Sequence, residues 1–123
     1  MEDIMTANAV KQKTEEFAEA ILQCEEYITF LSSHESFTSN NEVQELLRTF
    51  RSKRNDLYGN RFSPTLMDEL KDLQEKINNN AVIQEYEAAQ SDLVELLKRT
   101  NTIISGNIGI QFAYTEKGGS CCG

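Results

Sequence analysis

The side chains in this sequence best suited to chemistry are Cys24, His34, Cys121 and Cys122. The last two are adjacent, lie among Gly118, Gly119 and Gly123, and are not needed for any core. Three uses compete for such a pair. Thiolates on a glycine-rich backbone suit soft metals and iron–sulfur clusters. As a redox couple they would close a strained eight-membered disulfide ring, a geometry more often avoided than used. As a lipid acceptor they fail on position, because a prenylation box needs its cysteine four residues from the end, where Ser120 stands. Cys24 falls at helical spacing between Ile21 and Ile28 and reads as a small buried hydrophobe. His34 lies among Ser32, Ser33 and Ser36 with no second His or Cys at ligand spacing, a poor setting for a metal or a catalytic base. The many carboxylates fall on polar helix faces, where solubility and i,i+4 pairing with Lys and Arg account for them. Gly118-Gly119 matches no phosphate-binding fingerprint. The chain therefore reads as a binding protein and not as an enzyme.

The bulk numbers agree with that reading. A length of 123 residues leaves room for one domain. One proline, no tryptophan and an abundance of Glu, Gln, Asn, Lys and Leu favour long helices over a sandwich or barrel. A formal charge of −8 argues against direct binding of duplex DNA, which needs clustered Lys and Arg. One local basic stretch stands out, Arg48, Arg51, Lys53 and Arg54. It is a candidate contact for an acidic protein partner first and for RNA second, against the plainer reading of a solvated helix face. No apolar run approaches the ~20 residues of a membrane span, and no basic-then-apolar leader opens the chain. A cytoplasmic protein is expected, and three unevenly placed cysteines do not form a secreted disulfide framework.

Hydrophobic spacing supplies the elements that must position these residues. Val10, Thr14, Phe17, Ile21, Cys24, Ile28 and Leu31 step by four and three, which predicts an amphipathic helix from about Met5 to Leu31. The serine-rich stretch Ser32 to Ser36 predicts a kink or break before Phe37. Ser39-Asn40-Asn41-Glu42 reads as a capping box with Ser39 as N-cap. The helix it opens carries Val43, Leu46, Leu47, Phe50, Leu57 and Tyr58, and Gly59-Asn60 supplies a left-handed stop. Ser63-Pro64 opens a third helix with the stripe Leu66, Leu70, Leu73 and Ile77, which ends at Asn78-Asn79-Asn80.

The last helix is predicted from about Ala81 to Ser105, closed by Gly106. Val82, Tyr86, Ala89, Leu93, Leu96, Thr100 and Ile103 alternate four and three along it, widened by Ile83, Leu97 and Ile104. Beyond it, Ile108, Ile110, Phe112 and Tyr114 alternate every second residue, as in a strand or an extended segment laid on the bundle. The expected fold is all-α: a long antiparallel hairpin or bundle of about four helices over residues 1–105, with a flexible C-terminal tail over 106–123. A hairpin this long covers its stripes poorly, so self-association through Leu93, Leu96 and Ile103 is expected.

Several segments resemble the YlbF/YmcA family of bacterial regulators. Phe17-Ala-Glu-Ala-Ile-Leu-Gln-Cys-Glu-Glu-Tyr27 is similar to the family's opening helix. Asn41-Glu-Val-Gln-Glu-Leu-Leu-Arg-Thr-Phe50 and Asn80-Ala-Val-Ile-Gln-Glu-Tyr86 resemble its second and third signatures, in the same order and spacing. Gly119-Ser-Cys-Cys-Gly123 is similar to the cysteine-bearing tail of the YlbF branch. The resemblance implies a non-catalytic, oligomeric regulator acting with YmcA-type and YaaT-type proteins. It also implies a link through the endoribonuclease RNase Y to mRNA processing, competence, sporulation and biofilm formation. It implies a 4Fe-4S cluster for which Cys121 and Cys122 would be ligands, completed by thiolates from another subunit. Without that context, a stand-alone metal- or redox-responsive protein using the same tail is the alternative.

Overall fold

The computed structural model describes residues 2–59 and 63–114, with side chains from Thr6 onward. Five helices follow one another: α1 (Glu2–Gln23), α2 (Glu25–Ser39), α3 (Asn41–Gly59), α4 (Pro64–Asn78) and α5 (Ala81–Ile108). The class is all-α, as the spacing predicts, and no strand occurs among the described residues. No described helix is long and apolar enough to cross a membrane.

The first break lies at Cys24 and not in the serine-rich stretch. Cys24 takes an extended conformation (φ −78°, ψ 155°), and its carbonyl accepts the Ile28 N–H at 3.1 Å to start α2. One non-helical residue resets the helical phase. The side that α2 turns inward is therefore Tyr27, Phe30, Ser33 and Phe37, while Ile28 and Leu31 of the expected stripe are 55% and 46% exposed. The stretch from Ser32 to Ser36 stays helical. Near its end, Thr38 and Ser39 donate their hydroxyls to the carbonyls of His34 and Glu35, at 3.0 and 2.7 Å, within the helix. Phe30 and Phe37 also hold this part of α2 against Tyr86 of α5, with ring centroids 5.8 and 4.4 Å away.

That use of Ser39 explains a second correction. With its hydroxyl turned back, Ser39 does not cap α3; Asn40 does, its Oδ1 accepting the Val43 N–H at 2.9 Å. The same device opens α5, where Asn80 Oδ1 accepts the Ile83 N–H at 3.0 Å. Ser63 caps α4 as expected, accepting from Leu66 N–H at 3.2 Å with Pro64 at the first helical position. Gly59 remains helical, and its expected partner in the stop, Asn60, lies outside the described residues. At the other end, Gly106 does not stop α5. The helix runs on to Ile108, and Gly109 takes the left-handed conformation (φ 80°), donating its N–H to Ser105 O at 2.9 Å.

Packing makes two antiparallel pairs. The longer sets α2 against α5, and the shorter sets α3 against α4, tied across by Lys53 Nζ donating to Glu69 Oε2 at 2.9 Å. They meet where Val43, Ile77 and Ile83 are buried together, against Phe37, Leu46, Leu47, Phe50 and Val82. Ala89 is the other buried side chain among the described residues; its size lets α2 approach α5 closely. Gln44 and Gln84 reinforce the junction by donating to the carbonyls of Phe37 and Asn78, at 2.9 and 2.7 Å.

The shifted phase of α2 and the reassigned cap each have a test in denaturant unfolding. Ile83→Ala should cost about 2–4 kcal/mol by opening the junction, while Ile28→Ala should stay within about 0.5 kcal/mol. Equal costs would restore the unbroken stripe. Asn40→Ala should cost about 1 kcal/mol and Ser39→Ala clearly less; the reverse order would return the cap to Ser39.

Candidate partner-binding surfaces

The basic stretch lies wholly on α3, where steps of three carry Arg48, Arg51 and Arg54 obliquely around the helix. All three are exposed. Arg48 pairs with Glu45 one turn back, and Arg54 stacks over the Phe50 ring at 5.8 Å. Arg51 makes no ion pair among the described residues. Tyr58, seven positions after Arg51 and four after Arg54, shares their face and is 80% exposed. An exposed guanidinium beside an aromatic ring on an otherwise acidic molecule is suited to carboxylates of a partner. The neighbouring Lys53 is half-buried and already committed to Glu69.

Elsewhere the surface is negative. A groove between α3 and α4 is lined by Glu42, Glu45, Asp72 and Glu75 with Lys76, and one between α2 and α5 by Glu25, Glu26, Asp92 and Glu95 around Arg99. Neither gathers a metal site: no group of three or more His, Cys, Asp or Glu is so arranged among the described residues. Local spacing gave no sign of these grooves, because each joins residues on two antiparallel helices.

The other singled-out residues fall apart in space. Leu93 and Leu96 are half-buried on the α5 stripe, within the stretch that pairs with α2, whereas Ile103 is 64% exposed. His34 belongs to an aromatic cluster, 5.8 Å from the Phe30 ring and 5.7 Å from Tyr86. Cys24 is a half-buried free thiol at the α1–α2 break. Cys121 and Cys122 lie outside the described residues.

The alternating segment after α5 forms no strand. Asn101 presents its amide as a backbone would, accepting the Ala113 N–H at 3.0 Å and donating to the Ala113 carbonyl at 2.9 Å. Ser105 Oγ accepts the Phe112 N–H at 2.8 Å. This clasp turns the chain back along the end of α5. There Phe112 and Ile104 form an open, largely apolar groove with Ala9, Val10, Lys13, Thr14 and Phe17 of α1. A sequence signal for this surface existed: no charged residue occurs from Thr100 to Thr115, in a chain that is 26% charged.

Comparison with known proteins follows the fold. A chain of the crystal structure of Bacillus subtilis RicA in complex with RicF superposes with a TM-score of 0.71, covering 82% of this chain and 94% of that one at 14% identity. At that identity the likeness speaks for the fold. A comparison with curated proteins gives no significant match. Residues 10–109 match the family model described as "Control of competence regulator ComK, YlbF/YmcA", a span that takes in all of α2 to α5 and most of α1. The chain belongs to the YlbF/YmcA family.

Proposed function

We propose that this protein is a non-catalytic regulatory adaptor. It works in a complex with a YmcA-type subunit and a YaaT-type protein that modulates RNase Y-dependent mRNA processing, and thereby competence, sporulation or biofilm formation. The observation that carries this reading is the family match across residues 10–109, whose description is the control of a competence regulator. The related fold in a structure of RicA bound to RicF supports action within a complex. The surface suits that work: an exposed Arg51–Arg54–Tyr58 face, two acidic grooves and an apolar end offer contacts of three different characters. Self-association belongs to the same reading, since four side chains are buried among the described residues, Val43 alone completely, and a core that small gains from a neighbour.

The tail adds a cofactor to the proposal. Cys121 and Cys122 provide two thiolates per chain, half of the four-cysteine set that a 4Fe-4S cluster takes, so the set closes only with thiolates from another subunit. Such a cluster would supply a redox- or oxygen-sensitive link between subunits. Gly118 and Gly119 allow the backbone to approach an inorganic core closely.

Two measurements test these statements. Arg51→Glu with Arg54→Glu should weaken binding to a purified YmcA-type or YaaT-type partner by roughly tenfold or more in calorimetry, with the circular dichroism spectrum unchanged. Normal binding would move the contact to another face. Anaerobically purified complex should lose its iron and its thiolate-to-iron absorbance in the Cys121→Ser, Cys122→Ser variant. Equal iron in both proteins would remove these residues from the ligand set.

A further inference from the structure

An open groove of about 920 Å³ runs between α3 and α4. Glu42, Glu45 and Leu46 line it from α3, and Asp72, Leu73 and Glu75 from α4. The spacing of 42, 45 and 46 puts these residues on one side of α3, and at 3.6 residues per turn Arg51 lies around the other side. The four carboxylates are exposed along the two rims, and the two leucines are half-buried between them. Lys76 is the one cation lining the groove. Of the rim carboxylates only Glu45 has an ion-pair partner among the described residues, Arg48.

We propose that this groove receives a basic amphipathic helix of a partner protein, its apolar residues on the leucines and its Lys or Arg side chains along both rims. The contact rests on the adaptor reading above and gives it a second partner. One side of α3 then takes an acidic surface through Arg51 and Arg54, and the other side takes a basic one.

Shape, floor and charge together select that occupant. Two helices packed side by side leave a furrow that accepts the side-chain ridge of a third, anchored by apolar residues at i, i+3 and i+4. The leucine floor needs an apolar anchor, which a small cation does not supply, and no metal-binding group of three is gathered among the described residues. Unpaired Glu42, Asp72 and Glu75 repel nucleic acid, an anionic membrane or an acidic helix, and attract Lys and Arg. The groove between α2 and α5 is acidic too, but Ala89 in its lining is buried and Arg99 stands among its carboxylates. It offers no comparable anchor.

The test is fluorescence anisotropy of a labelled synthetic helix of about 18 residues, Lys-rich with leucines spaced i, i+3, i+4 and i+7, titrated with the full chain. It should bind. A scrambled peptide of the same composition should bind at least about tenfold more weakly, since its charge is unchanged and its apolar face is gone. Asp72→Asn with Glu75→Gln should weaken binding roughly tenfold or more, with the circular dichroism spectrum unchanged. Glu15→Gln with Glu19→Gln, the same loss of charge on α1, should leave it within about twofold. Equal binding of the scrambled peptide, or equal losses from the two double variants, would reduce the contact to unspecific charge and overturn the proposal, as would no binding at all. Loss through Asp92→Asn with Glu95→Gln instead would place the helix between α2 and α5 and overturn it too. None of these failures touches the adaptor reading, which the calorimetry with a YmcA-type or YaaT-type partner decides.

Discussion

The antiparallel contact between α2 and α5 is the constraint on which the rest of this structure depends. It is fastened at one end by the Phe30, His34, Phe37 and Tyr86 rings and kept close further along by Ala89. From Tyr86 the buried surface passes directly to the junction of Val43, Ile77 and Ile83, so α3 and α4 are placed by the same contact. Because α5 continues well beyond the part that α2 covers, it also provides the platform on which the C-terminal segment is clasped. The two acidic grooves are consequences of the antiparallel pairings, each bringing carboxylates of one helix beside those of another.

What this arrangement leaves undone is as informative as what it achieves. Four side chains are buried among the described residues, and no buried polar or charged residue accompanies them. Such a core sets direction and register but stabilises modestly, since burial scales with chain size and shape. α1 illustrates the shortfall: its stripe is correctly amphipathic, yet its own chain covers little of it. A basic aromatic face, acidic grooves and a largely apolar end give one small chain surfaces of three different characters.

Much of the fold was legible from residue spacing. The stripes of α4 and α5, the Ser63-Pro64 start and the all-helical class follow from period and capping alone. The errors share a physical origin. Serine and glycine favour helix boundaries, but helical context absorbed them here: Ser39 bonds back to Glu35 and leaves the cap of α3 to Asn40, and Gly106 stays helical within an isoleucine-rich run. The true breaks differ in kind: Gly109 is a left-handed glycine three residues after Gly106, and Cys24 opens α2 with no side-chain cap. For the candidate surfaces, Arg48, Arg51 and Arg54 were visible because they lie on one helix. The acidic grooves and the clasp were not, because each joins residues from separate segments that only the antiparallel topology brings together. The absence of charge from Thr100 to Thr115 was legible and points to the same end of the molecule.

The central claim is that association completes a core this chain leaves open. Its most direct test is the thermal unfolding midpoint followed over a wide range of protein concentration, at fixed buffer and salt. If assembly stabilises the fold, the midpoint rises steadily with concentration by mass action, because neighbours bind the native state and not the unfolded chain. A midpoint independent of concentration, in a protein that unfolds reversibly, would show that the single chain is sufficient by itself and contradict the claim.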